Sequence, residues 1–147
     1  MNLRQWLVVG ILVLTAAPAL AEPAAAGRIK VASGDAFIVR GGTLVPATAG
    51  LPVLESDGLR TGDDGRLGVT LKDDTRVSLG PGSEVRLDSF LYDPAKGRLG
   101  LALKFIRGVT AYVSGRIAKL SPDSVRLETP AAIVGVRGTT LTIRVAE

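Results

Sequence analysis

The side chains best suited to chemistry are carboxylates in turns and one arginine set between glycines. Asp63-Asp64-Gly65 and Asp73-Asp74-Thr75 offer oxygen ligands that would suit calcium if the two turns met in space. Their spacing is not that of a calcium loop, in which acids fall at alternate positions and a distal Glu completes the shell. Asp is also an ordinary turn residue. Paired carboxylates can hydrolyse glycosides, but nothing here pairs particular acids. Aromatic platforms for a sugar are scarce: beyond Trp6 the chain has Phe37, Phe90, Tyr92, Phe105 and Tyr112. Arg137 lies in residues 129–140, TPAAIVGVRGTT. Its guanidinium could clamp a carboxylate or phosphate in a bidentate fork, or pair with a nearby acid, or lie solvated over a sheet. Gly135-Val136-Arg137-Gly138 does not follow a strand and open a helix, and no GxxxxGK[S/T] loop occurs, so the phosphate-loop contexts are missing. The glycines are better read as serving the backbone, through a bulge, a positive φ or a close strand approach.

Histidine and cysteine are both absent. Zinc sites draw on these residues in nearly every arrangement. A Ser-His-Asp or Cys-His nucleophile lacks its base or its thiol, and no disulfide can form. The expectation is a protein that is not an enzyme, with no cofactor, no catalytic residue and no metal site.

The elements that would position these residues are strands. Apolar residues make up 46% of the chain and aromatics only 4%, so the core must come mainly from Val, Leu, Ile and Ala. The dominant period is two. RLGVTL (66–71) places Leu67, Val69 and Leu71 on one face, TRVSL (75–79) places Val77 and Leu79, and EVRL (84–87) places Val85 and Leu87. RLGLALKF (98–105) gives Leu99, Leu101, Leu103 and Phe105; VTAYV (109–113) gives Val109, Ala111 and Val113; TLTIRV (140–145) gives Leu141, Ile143 and Val145. The alternate positions are Arg, Lys, Thr, Ser, Gly or small, the pattern of antiparallel strands with one face in water. Asp57-Gly58 and Asp64-Gly65 offer the positive φ of tight turns. Asp73-Asp74 should close a hairpin between RLGVTL and TRVSL, and Gly80-Pro81-Gly82-Ser83 and residues 93–97 mark further turns. Turn signals this frequent suit a sandwich or barrel. Only residues 115–120, GRIAKL, could hold a helical turn. The class expected is all-β, an antiparallel sandwich of many short strands with little or no helix.

Residues 1–21, MNLRQWLVVGILVLTAAPALA, have Arg4 ahead of an apolar run from Trp6 to Ala17 and end in Ala19-Leu20-Ala21. This is the pattern of a secretory signal peptide, too short for a membrane span. Cleavage after Ala21 leaves a short leader over 22–28, a domain over 29–147 and no stable membrane anchor. The formal net charge of +4 falls to +3 with the loss of Arg4. That excess favours anionic surfaces such as lipid headgroups. The cations are scattered singly with few stacking aromatics, which argues against nucleic acid as a partner.

Two stretches together resemble the FecR domain family. The first is residues 59–87, LRTGDDGRLGVTLKDDTRVSLGPGSEVRL. It is similar to that family's run of Leu-x-Thr-Gly, strand, Asp-x-Thr turn, strand ending in Leu-Gly-Pro, and a further strand. The second is Thr129-Pro130-Ala131 followed by Gly135-Val136-Arg137-Gly138-Thr139, similar to its Thr-Pro … Gly-x-Arg-Gly-Thr signature. The resemblance runs over about 29–145. It implies a jelly-roll-like envelope domain acting in signal relay or protein contact rather than catalysis. In the best-known members a periplasmic domain of this kind passes a signal from an outer-membrane iron transporter through a membrane helix to a sigma factor. This chain departs from that plan. Only five residues precede the apolar run, so a cytoplasmic segment is not expected. The sequence also stops at Glu147, soon after the Gly-Thr strand.

The reading that follows is a periplasmic or secreted domain that binds another envelope protein, in signal relay or transport regulation. The contact would be strand addition at an open sheet edge near 139–145, with Arg137, Thr139 and Leu141 as candidate contacts. The rival readings are a module for anionic envelope glycans or lipid headgroups, using Arg137 and the basic excess, and a purely structural envelope component.

Overall fold

A computed structural model describes residues 15–18, 24–134 and 140–146. The strands are β1 (Ala25–Ser33), β2 (Ala36–Arg40), β3 (Thr43–Pro46), β4 (Pro52–Leu54), β5 (Gly58–Thr61) and β6 (Arg66–Leu71). They continue with β7 (Arg76–Leu79), β8 (Glu84–Asp93), β9 (Arg98–Val113), β10 (Val125–Glu128), β11 (Ile133–Val134) and β12 (Thr140–Val145). One short helix, α1 (Arg116–Leu120), and 3-10 turns at Pro94–Lys96 and Pro122–Ser124 complete the described elements. The all-β class read from the sequence holds, as does the confinement of α-helix to 116–120.

All twelve strands belong to one curled sheet, in place of the separate sheets of a jelly roll. Its order is β3-β2-β5-β8-β9-β7-β6-β1-β4, with β10 and β12 added on β9. β9, at sixteen residues, is the spine. Its residues 98–107 pair with β8, and 101–104 also pair with β10. Its residues 108–113 pair with β12, and 110–113 of these also pair with β7. The β9–β10 pair is parallel, the exception to an otherwise antiparallel sheet. A parallel return needs a crossover connection, and α1 lies in it, burying Ile117 and Ala118 against the core.

Alternation fills the core as the sequence predicts over most of its length. Leu67, Val69, Leu71, Val77, Leu79, Val85, Leu87, Leu101, Leu103 and Phe105 are all buried. The β6–β7 hairpin forms with Leu67 opposite Leu79 and Val69 opposite Val77. One face is corrected. Residues 109–113 bury Thr110 and Tyr112, not Val109, Ala111 and Val113. The cause is a bulge with a bend. Glu84 pairs with Arg107 but Val85 pairs with Phe105, which leaves Ile106 without a partner residue, and Gly108 follows at φ +82°. An extra residue reverses which side chains face inward, so the inward set changes from odd to even numbers as β9 passes between the two halves of the sheet.

The two Asp-Gly turns are also corrected. Gly58 and Gly65 do not have positive φ; Ser56 (φ 73°) and Asp74 (φ 69°) take those conformations at neighbouring turns. Gly65 is required for space instead, since a Cβ there would sit on the Asp35 carbonyl oxygen.

The ends of the curl approach one another. Arg40 on β2 donates to the Pro52 carbonyl oxygen on β4 at 3.1 Å and forms a fork with the Asp57 carboxylate at 3.0 and 2.7 Å. The β3–β4 connection crosses between the same ends. Ala47 N–H donates to the Ala36 oxygen, Ile29 N–H to the Leu51 oxygen and Gly50 N–H to the Ile29 oxygen.

Candidate functional site

The buried polar residues between 57 and 87, namely Asp57, Thr61, Asp73, Thr75 and Ser83, turn out to form backbone clamps. Asp73 is fully buried in the β6–β7 turn. Its carboxylate accepts the Thr75 N–H (3.1 Å), the Thr75 hydroxyl (2.8 Å) and the Ile117 N–H (3.2 Å), so it satisfies donors of its own turn and of the first turn of α1. The Arg116 N–H donates to the Asp73 carbonyl oxygen at 2.7 Å. Gly115 permits this approach, because a Cβ there would lie 2.5 Å from that oxygen. Thr61 and Ser83 form a second clamp. The Thr61 hydroxyl donates to the Gly80 oxygen (2.7 Å) and accepts the Ser83 N–H (2.9 Å). The Ser83 hydroxyl donates to the Val109 oxygen (3.0 Å) and accepts the Val109 N–H (2.9 Å), which pins the bend of β9. Asp57 is the third, accepting the Leu54 N–H (2.8 Å) beside the Arg40 fork.

These groups are engaged with the chain itself. The Asp57 carboxylate holds the Arg40 guanidinium above its ordinary pKa through the hydrogen bond first. Burial pushes the Tyr112 phenol above its ordinary value, and the Asp73 charge adds to that. An open hollow of about 600 Å³ lies beside the Arg40–Asp57 pair, with Leu54, Glu55, Phe90 and Tyr92 in its lining. Its acids are already committed, Asp57 to Arg40 and Glu55 to the Phe90 N–H. The two acidic turns considered for calcium sit at opposite ends of β6. That strand's six residues hold them roughly 20 Å apart. No group of three metal-binding side chains occurs among the described residues.

The second motif is divided. Gly135, Arg137, Gly138 and Thr139 lie outside the described residues. Thr129 and Pro130 begin a tight turn from β10 to β11. The Thr129 N–H donates to the Ala132 oxygen (2.8 Å), and its hydroxyl accepts the Ala132 N–H (3.1 Å). Such a hydroxyl-closed turn is what Thr does beside Pro when the chain must reverse. Leu141 lies opposite Tyr112, half-buried, and packs with Ile143 and Val145 against the core. Its side chain is therefore directed inward, and what β12 offers at its unpaired edge is backbone. β12 pairs with β9 on one side and with nothing on the other among the described residues.

Sequence reasoning missed the burial of Asp57 and Asp73, since an Asp in a turn carries no mark of being covered. It also missed which strands become neighbours, and so which outward cations share a face. On the β1-β6-β7-β9-β12 half, Arg28, Lys30, Arg66, Arg76 and Arg144 are exposed, and none of its strands carries an acid.

Among the described residues no helix is long and apolar enough to cross a membrane. No curated protein and no solved structure matches the chain. A family model described as FecR protein matches residues 57–147, more than half of the chain. That match starts at the Asp57 clamp and takes in every residue of the other two, together with the Thr129–Ala132 turn and β12. The chain belongs to the FecR family, a non-enzymatic family of signalling at the cell envelope.

Proposed function

We propose that this chain is an exported, non-catalytic envelope domain that binds another envelope protein, with a signal peptide over 1–21, and that the contact is strand addition at β12. The observation that carries the reading is the edge of β12 that no described residue pairs. The other strands at the margins of the sheet are poor templates. β3 ends at Pro46, β4 begins at Pro52 and spans three residues, and β11 has two. β12 has six residues and no proline. Proline and short length are how sheets blunt their edges, and a longer edge without them suits β-augmentation, where backbone bonds supply affinity. The clamps support the non-catalytic part, because the buried polar residues Asp57, Thr61, Asp73, Thr75 and Ser83 are consumed in holding the fold.

Photo-crosslinking of the full chain tests this. A crosslinking residue at Thr142 should capture the partner, and the same residue at Ser89 on β8 should not. A truncation lacking 141–147 should lose capture. Unchanged capture by a truncated chain that remains folded would sink the edge pairing.

A further inference from the structure

The curled sheet is charged unequally on its two outward faces. On the half built from β2, β5, β8, the first part of β9 and β10, four outward arginines are matched by acids, while Arg98 and Lys104 have no ion-pair partner among the described residues. Arg60 and Arg107 both reach Glu84 at 3.2 and 3.5 Å, Arg86 pairs with Asp88, and Arg126 lies 4.0 Å from Glu128. Among the described residues the strands of the other half carry no such pairs. Cross-strand register sets Arg28, Thr70, Arg76, Val113 and Thr140 in one outward row. Val31, Gly68, Ser78, Ala111 and Thr142 form the next. Arg66 and Arg144 flank the far side, Arg144 opposite Val109. Lys30 joins them through a bulge in β1 that turns both Lys30 and Val31 outward. No Asp or Glu occurs in β1, β4, β6, β7, residues 108–113 or β12.

We infer that this face is a docking surface for an anionic phospholipid bilayer. Charge complementarity carries the inference. Lys30, Arg66, Arg76 and Arg144 have no ion-pair partner among the described residues; Arg28 donates only to the Gly50 carbonyl oxygen at 3.0 Å, and Asp74, a turn acid that lines the same hollow as Arg28 and Lys30, pairs with Arg116 at 3.4 Å. Their layout chooses the bilayer over other polyanions. The cations spread in two dimensions, across five strands or roughly 19 Å of sheet, instead of tracking one line as a strand of glycan or nucleic acid requires. The centre of the face carries small residues and no aromatic ring, so nothing there stacks on a sugar or a base. Val31, more than half exposed, gives the face an apolar point of contact. This inference does not rest on the β12 edge: a face and an edge of the same strand are separate surfaces.

The test is co-sedimentation of the exported domain with vesicles of phosphatidylcholine alone and with about one-third phosphatidylglycerol. Binding to the anionic vesicles is expected, and it should weaken steeply as salt rises. Each basic residue at such a surface contributes about fivefold in affinity, so R66S/R76S/R144S should bind about a hundredfold more weakly. The charge-retaining R66K/R76K/R144K should bind as the parent does. K96S/R98S/K104S, equal in charge loss but placed on the other half of the sheet and its β8–β9 turn, should also be unaffected. Should the triple serine variant lose its fold, single R66S and R144S variants report the same effect at about fivefold each. Equal binding to neutral and anionic vesicles, an equal loss in the K96S/R98S/K104S control, or binding to a soluble anionic polysaccharide without binding to vesicles overturns the inference.

Discussion

At the scale of single residues, the buried polar groups between residues 57 and 83 are a set of covered hydrogen-bond junctions. Asp73 shows the logic most clearly. A buried carboxylate is costly unless its oxygens are satisfied, and here two oxygens serve three donors from two elements. Asp73→Ala should therefore cost about 2–4 kcal/mol, because it leaves the Thr75 and Ile117 donors without acceptors. Asp73→Asn retains one acceptor and should cost less. Urea midpoints of the two variants against the parent check the ordering, and equal midpoints for all three would remove the junction role. The Asp-Asp-Thr triplet was legible as a turn, since Asp in turns has a local mechanism. Its burial was not, because α1 comes from more than forty residues away in the chain and no local pattern announces it.

At the scale of elements, the sequence's alternation located the strands well and failed at one place, the second half of β9. Reading RLGLALKF and VTAYV as two strands hid their continuity, and the parity change at 106–108 lies in the gap between them. A bulge is invisible to a period-two count, which simply resumes on the wrong face. Gly108 is the residue on which this depends. At φ +82°, a side chain there is strained, and its Cβ would come within 2.5 Å of the Ser83 Cα. Gly108→Ala should destabilise by at least about 2 kcal/mol, read as a lowered melting temperature. Gly97→Ala, with positive φ but open space around it, should cost less. Similar losses at the two sites would argue against close packing at the bend. The outward residues of β1, β6, β7 and β12 were equally readable one strand at a time. Their assembly into one acid-free face requires the pairing order, which no periodicity contains.

At the scale of the whole molecule, the curl is closed by few groups. Arg40 bridges the end that carries β2 to the end that carries β4, and Asp57 is the fixed point it grips. Arg40→Met keeps the stem and removes the fork, leaving the Asp57 carboxylate with the Leu54 N–H alone. A loss of about 2–4 kcal/mol is expected, with part of it recovered in Arg40→Met/Asp57→Asn. Denaturant unfolding of the single and double variants measures both, and no recovery in the double variant would assign the loss to something other than the stranded charge. The long central strand has a further, temporal meaning. A chain emerges N-terminus first, and β9 is the strand that β7, β8, β10 and β12 all need. Until residue 113 is free, the hairpin of β6 and β7 has no neighbour for its outer side; β8 closes on β9 through the short turn at 94–97, but the pairings of β9 with β7, β10 and β12 each close a loop of more than twenty residues. Such pairings are slow, and unpaired edges invite association while they wait. The molecule thus reaches its shape late and all together, and a holding chaperone has most to shelter in the interval before β9 arrives.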